Sequence, residues 1–204
     1  MRLTACYVLL SFCLFFSACT SFSKNPLSEQ GYYGNDPRLV GVWFQSGDSP
    51  NFIHIGQGGE GLMDVVVVEH NKKGTLDSGP LKIFTTSLKN RNFINYRSPV
   101  NKKREAEGSQ GARQEDDVYL ILLYEITELG DLTFRFMSDK YLAANIEKGR
   151  LKGTVSRDGW LKVTITDSTS NLNQFIDEAD IDQLFGKPSK PYRKLVLPLP
   201  SSSK

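Results

Sequence analysis

From residue 39 onward the apolar positions fall into short runs with the two-residue period of strands, each closed by a turn signal. Residues 39–45 (LVGVWFQ) and 51–55 (NFIHI) open the series. The stretch 56–61 (GQGGEG) then separates them from 62–70 (LMDVVVVEH), where four consecutive valines suit a packed pleated surface better than a helix. Residues 80–88 and 92–97 predict a strand pair joined through Lys89 and Asn90. Residues 118–126 (VYLILLYEI) are apolar on both faces, which predicts a covered strand, and TELGD turns the chain into 132–137. Residues 161–166 alternate cleanly, with Leu161, Val163 and Ile165 on one side. Many short strands separated by turn signals predict an antiparallel barrel or sandwich.

Two stretches carry a helical period instead. Ser138 offers an N-cap, Asp139 an acidic first turn and Gly149 a stop, with Tyr141, Leu142 and Ile146 on one face. Over 170–185, Leu172, Phe175, Ile176 and Ala179 recur at helical spacing, and Gly186 and Pro188 end the run. A last strand is expected at 192–197 and a disordered tail at 198–204. The fold expected for 38–197 is therefore a single, mainly β domain with two short helices: an antiparallel β-barrel or, failing that, a β-sandwich. One polar insertion, 98–117 (SPVNKKREAEGSQGARQEDD), reads as a long solvated loop between two strands.

The first nineteen residues follow a different pattern. Arg2 and the α-amino group precede an apolar stretch, Tyr7 to Phe16, that is shorter than the roughly 20 residues a membrane-spanning helix needs. Small residues follow at Ser17 and Ala18. This layout predicts a secretory signal over 1–18, the alternative being an uncleaved N-terminal anchor helix. Of three cysteines, Cys6 and Cys13 lie inside this segment, so a chain cut before Cys19 keeps one cysteine and has no internal disulfide to form. Residues 19–37, rich in Ser, Gly, Asn and Pro, are expected to be a flexible tether.

The tetrad Phe16-Ser17-Ala18-Cys19 resembles the lipobox of bacterial lipoproteins, with Phe16 where the family usually carries Leu. The resemblance implies cleavage before Cys19 and acylation of that residue. It also implies attachment to a membrane without a spanning helix. Thr20, in place of the Asp that retains such proteins at the inner membrane, implies the outer membrane's periplasmic face. Membrane contact through Cys19 is thus the first expected partnership.

Charge narrows the partners further. Removing residues 1–18 removes Arg2 alone among the charged side chains and leaves one more Lys or Arg than Asp or Glu. A near-neutral chain lacks the basic face that nucleic acid demands. His54 and His70 are the only histidines, too few to build a metal centre with no Cys cluster beside them. The glycine-rich 56–61 lacks the Lys-Ser/Thr of a phosphate loop and leads into a strand, so it reads as a hairpin turn. No Gly-x-Ser-x-Gly elbow occurs. Nothing requires an enzyme, a cofactor or a metal.

Within LVGVW, Gly41-Val42-Trp43 resembles the Gly-x-Trp that opens the first strand of lipocalins and their calycin relatives. A late helix followed by one more strand is also similar. The resemblance implies an eight-stranded barrel with Trp43 across its closed end, covered by a late-strand arginine, for which Arg157 is the counterpart. Trp160, beside Arg157, is expected in a hairpin. An apolar interior (Val66, Val68, Leu120, Leu122, Phe134, Phe136) then suits a small apolar ligand or lipid. The competing expectation is an envelope protein that contacts another envelope component through its polar loop.

Overall fold

The computed structural model describes residues 21–47, 51–70, 76–98 and 118–195, with the backbone alone for 69, 70 and 76–80. The expected signal over 1–18 with Cys19, nearly all of the 98–117 insertion and the expected tail at 198–204 lie outside the described residues.

Eight strands close into one barrel: β2 (Gly41–Gln45), β3 (Asn51–Gln57), β4 (Met63–His70), β5 (Leu76–Leu88), β6 (Arg91–Ser98), β7 (Val118–Ile126), β8 (Asp131–Phe136) and β11 (Tyr192–Lys194). Neighbours from β2 to β8 pair antiparallel in sequence order, and β11 pairs with both β8 and β2, which closes the ring. Closure removes the unpaired edges that a flat sheet of this length would expose. Three smaller strands, β1 (Phe22–Ser23), β9 (Gly153–Ser156) and β10 (Lys162–Ile165), extend the sheet from β7. The expected mainly β fold and antiparallel barrel are both present.

Register fixes what points inward. Trp43 pairs with Ile53, Ile53 with Val67, Ile55 with Val65 and Val65 with Leu81. Continuing round, Ile83 pairs with Tyr96, Ile94 with Leu122, Tyr124 with Phe134 and Leu132 with Tyr192. These side chains form one interior core around Leu39, Trp43, Ile55, Met63, Tyr124 and Leu132. A second core lies outside the barrel wall. There the outward faces of β6 and β7 (Phe93, Ile121, Leu123) meet α1 (Asp139–Glu147), α2 (Thr169–Glu178), α3 (Ile181–Leu184) and the β9–β10 hairpin. Residues 118–126 are apolar on both faces because β7 serves both cores.

Three expectations change. The helix expected over 170–185 is two helices. Ala179 takes an extended backbone, and Asp180 caps α3 by accepting from the backbone N–H of Asp182 and Gln183. With α1, whose Ser138 cap and Gly149 stop are as expected, the fold has three short helices. The last strand is short, Tyr192–Lys194 within 192–197.

The third change is larger. The stretch 19–37 is not a tether from Ser21 onward. Leu27 is 1% exposed and fills the outer core, and Ser21, Ser23 and Ser28 are buried. The Leu27 N–H donates to Asn95 Oδ1, Asn95 Nδ2 donates to Thr86 Oγ1, and the Thr86 and Ser28 hydroxyls bond at 2.6 Å. Thr86 and Asn95 are fully buried beneath this strap, and these bonds give both side chains their partners. A Ser- and Asn-rich composition argues for disorder, but here the Ser28 hydroxyl and the Leu27 N–H bond to polar side chains on the outer faces of β5 and β6, and Ser21 and Asn25 bond to Asp139 and to the Asp167 carbonyl. The strap then reaches the lower end of the barrel, where Gly31 packs on Gly61 of the β3–β4 turn. A Cβ on Gly61 would meet Gly31 Cα at 2.7 Å.

Candidate functional site

The lower end of the barrel is sealed by the end of the strap. Asp36 caps a 3-10 turn, Pro37–Leu39, that leads directly into β2. Its carboxylate accepts from the Tyr124 hydroxyl at 2.9 Å inside the barrel and from the Arg38 guanidinium outside. Burial alone would raise the Asp36 pKa, but the hydrogen bonds from Arg38 and Tyr124 win and hold it below the ordinary carboxylate value. The same contact, added to burial, drives the Tyr124 phenol well above its usual range. Thr85 bonds to the Gly34 carbonyl and the Asp36 N–H, completing the plug.

Trp43 lies across this end, 1% exposed, and donates from Nε1 to the Leu39 carbonyl at 2.7 Å. The cation over its ring is Lys194 of β11, with Nζ 5.1 Å from the ring centroid and 2.9 Å from the Arg38 carbonyl. Gly41 makes room for it: its φ is +140°, and a Cβ there would meet Lys194 Cε at 2.5 Å. The glycine and the tryptophan of Gly-x-Trp thus both face the same lysine. Arg157 stands elsewhere, on the exposed β9–β10 turn, with its guanidinium on Glu147 of α1 at 2.7 Å. Trp160, on the same turn, is 61% exposed. β9 and β10 are outside the barrel ring, so no residue of their hairpin covers Trp43. The closing strand does, and the basic pair Arg193-Lys194 within it was the signal for this.

The upper end is different. Interior positions near the lower end (Met63, Leu132, Trp43) have almost no exposure. Val67, Leu81, Tyr96, Leu122 and Phe134, further up the same inward face, are only partly buried. Leu120, opposite Tyr96, is likewise half-buried, and Phe136, opposite Leu122 at the top of β8, is 52% exposed. Four of the six residues expected inside therefore lie on the inward face. Val66 and Val68 do not: Met63, Val65 and Val67 point in, and the alternate residues of β4 point out, beginning with Asp64, which pairs with Lys82 on the outer surface.

Surface recesses among the described residues also lie off the barrel. One of about 490 Å³, between α1 and α2, is lined by Tyr141, Asn145, Arg150, Lys152, Asp167 and Asn171, among others. Asp167 is held there as a carboxylate: burial would raise its pKa, but bonds from the Lys152 N–H, Asn171 Nδ2 and Ser168 N–H lower it. His54 is exposed on the outside of β3, and among the described residues no three His, Cys, Asp or Glu side chains converge as metal ligands. No described helix is long and apolar enough to cross a membrane.

These features define a closed eight-stranded antiparallel barrel, plugged at one end, an architecture compatible with the calycin-like barrels. No family model matches the chain, and neither a curated protein nor a solved structure matches it.

Proposed function

We propose that this is a lipid-anchored protein of a bacterial envelope, attached through Cys19 and facing the periplasm from the outer membrane. Its barrel binds a small apolar ligand or lipid without covalent chemistry. The observation that carries the reading is the gradient along the inward face, from a sealed lower end at Trp43 and Met63 to partly exposed apolar side chains at Leu120, Leu122, Phe134 and Phe136. Eight strands leave an interior that side chains fill or that holds one small ligand. Here large side chains fill the lower half and leave apolar surface in the upper half, the lining such ligand sites have. The lipobox-like tetrad 16–19 supports the anchor.

The reading is tested by native mass spectrometry of the full chain carrying Cys19→Ser, purified without detergent. A bound species of fatty-acid or phospholipid mass is expected, and it should be lost in a Leu122→Lys variant whose near-ultraviolet dichroism stays native. A bare mass from both proteins, after incubation with lipid extract, removes the ligand reading and leaves the alternative, a contact protein for another envelope component. That alternative draws on Tyr32 (73% exposed) and Leu129 (91% exposed) at the sealed end.

A further inference from the structure

Where the chain enters the barrel bears on where a ligand comes from. β1 lies beside the upper end of β7, with Ser23 opposite Tyr119, and takes up the position next to β7 that β8 vacates after Phe136. Ser21, 5% exposed, bonds through its hydroxyl to the carboxylate of Asp139 at the start of α1. Asp139 comes three residues after Phe136, which is at the rim of the barrel, on the inward-facing register and half exposed. Ser21, where the described residues begin, is thus tied to the rim beside an exposed aromatic ring.

Cys19 is two residues before that point, and two residues reach about 7 Å at full extension. A lipid on Cys19 therefore has no slack by which the domain could stand away from the bilayer or turn over freely. The opposite, sealed end carries the charged Arg38, Asp131, Arg193 and Lys194 beside the exposed Leu129, so it is the short reach from Ser21 to Cys19 that sets which end meets the bilayer. Phe136 presents apolar area that gains by leaving water.

Resting on the reading that Cys19 is acylated, we propose that the barrel stands with its rim against the membrane and takes an acyl chain of a lipid from that same bilayer past Phe136. The anchor's own chains stay in the leaflet, because stable attachment takes about two of them. The bound chain lies along Phe136, Leu122, Phe134 and Leu120, and Trp43 sets the depth at which it stops.

The test uses the full-length acylated protein in phosphatidylethanolamine–phosphatidylglycerol vesicles. Acylation occupies the Cys19 thiol, so Phe136→Cys and Leu129→Cys each provide a single site for an environment-sensitive fluorophore. Lipids brominated on their acyl chains are expected to quench the probe at 136 and shift its emission to the blue, with no change at 129. Quenching at 129 alone, or equally at both, overturns the orientation. Failure of the anchor reading is separate: radiolabelled palmitate then stays off the wild-type chain and the protein does not float with vesicles, whatever the probes do. The source of the chain is read by photo-crosslinking. Adducts on the 132–136 strand from a phospholipid with a photoactivatable chain, supplied in the vesicles, support the proposal. Adducts that form only when the photoactivatable acid is built into Cys19 itself overturn it.

Discussion

Lys194 and Trp43 face each other across the seam between β11 and β2, with the ammonium 5.1 Å from the centre of the indole ring. The Leu39 carbonyl accepts the indole N–H and the Arg38 carbonyl accepts from the ammonium, so neighbouring carbonyls of one turn fix the ring at its edge and hold the lysine over its face. Trp43→Ala is expected to cost about 3–5 kcal/mol in urea unfolding. A double-mutant cycle between Trp43 and Lys194 should give a coupling of about 0.5–1 kcal/mol. The cycle between Trp43 and Arg157 should be additive within about 0.5 kcal/mol, since Arg157 pairs with Glu147. The reverse result would place the covering cation on the wrong strand.

Gly41→Ala tests the same seam from the other side. An alanine there is held at φ +140° and meets the Lys194 stem. Strain of this kind costs about 1–3 kcal/mol. In a Lys194→Ala background the contact disappears while the backbone strain remains, so the cost should fall without vanishing. An unchanged cost would mean that Lys194 bends away freely.

The strap makes a prediction that a flexible tether would not. Leu27→Ala removes a side chain that is 1% exposed and should destabilise the protein by about 2–5 kcal/mol, read as a lower urea midpoint with the same slope. The exposed Tyr32→Ala, a few residues further on, should change the midpoint little. Equal small effects at the two positions would return 21–37 to the status of a linker.

The plug at the sealed end gives stability a dependence on pH at both extremes. The Asp36 carboxyl titrates lower in the folded chain than in the unfolded one, so its contribution is present above about pH 4 and disappears as pH falls through the folded value. The Tyr124 phenol titrates higher when folded, so its contribution is present up to about pH 10 and is lost as pH rises further. Tyr124→Phe should flatten the alkaline limb of a stability profile. Asp36→Asn should flatten part of the acid limb, the rest belonging to groups such as Asp167. A Tyr124→Phe profile that matches wild type above pH 10 would show that the phenol is not held by Asp36.

Cys19→Ser should abolish incorporation of labelled fatty acid, because no other cysteine follows the expected cleavage point. The variant protein should appear in the soluble fraction or retain its signal segment. Unchanged labelling would sink the lipid anchor.

The strands were legible because their two-residue period and turn residues are local properties. The hairpins from β3 to β8 match expectation to within a few residues. Inward and outward faces were harder to read where the polar markers disagree. In the valine run, Asp64 and Glu69 bracket the strand with opposite parity, so the choice of Val66 and Val68 as interior residues had no local arbiter. The cross-strand partner Lys82 settles the matter for Asp64. The 170–185 helix kept its apolar spacing through Ala179 and hid the competing cap at Asp180. The strap was missed because its partners, Thr86 and Asn95, lie far along the chain and composition carries no trace of them. Lys194 was passed over for Arg157 for a related reason: which late strand closes the ring is a property of topology, visible only once β11 is seen to join β8 to β2.

That joining strand is three residues long and follows the whole excursion through α1, β9, β10, α2 and α3. Until it arrives, β2 and the lower part of β8, Asp131 and Leu132, lack their partner strand. A chain emerging from its N-terminal end can zip its hairpins in turn, yet it cannot complete the ring before Tyr192–Lys194 appears. Proteolysis or premature termination just upstream of Tyr192 leaves every hairpin intact but produces a sheet with two open edges, a template for pairing with other chains.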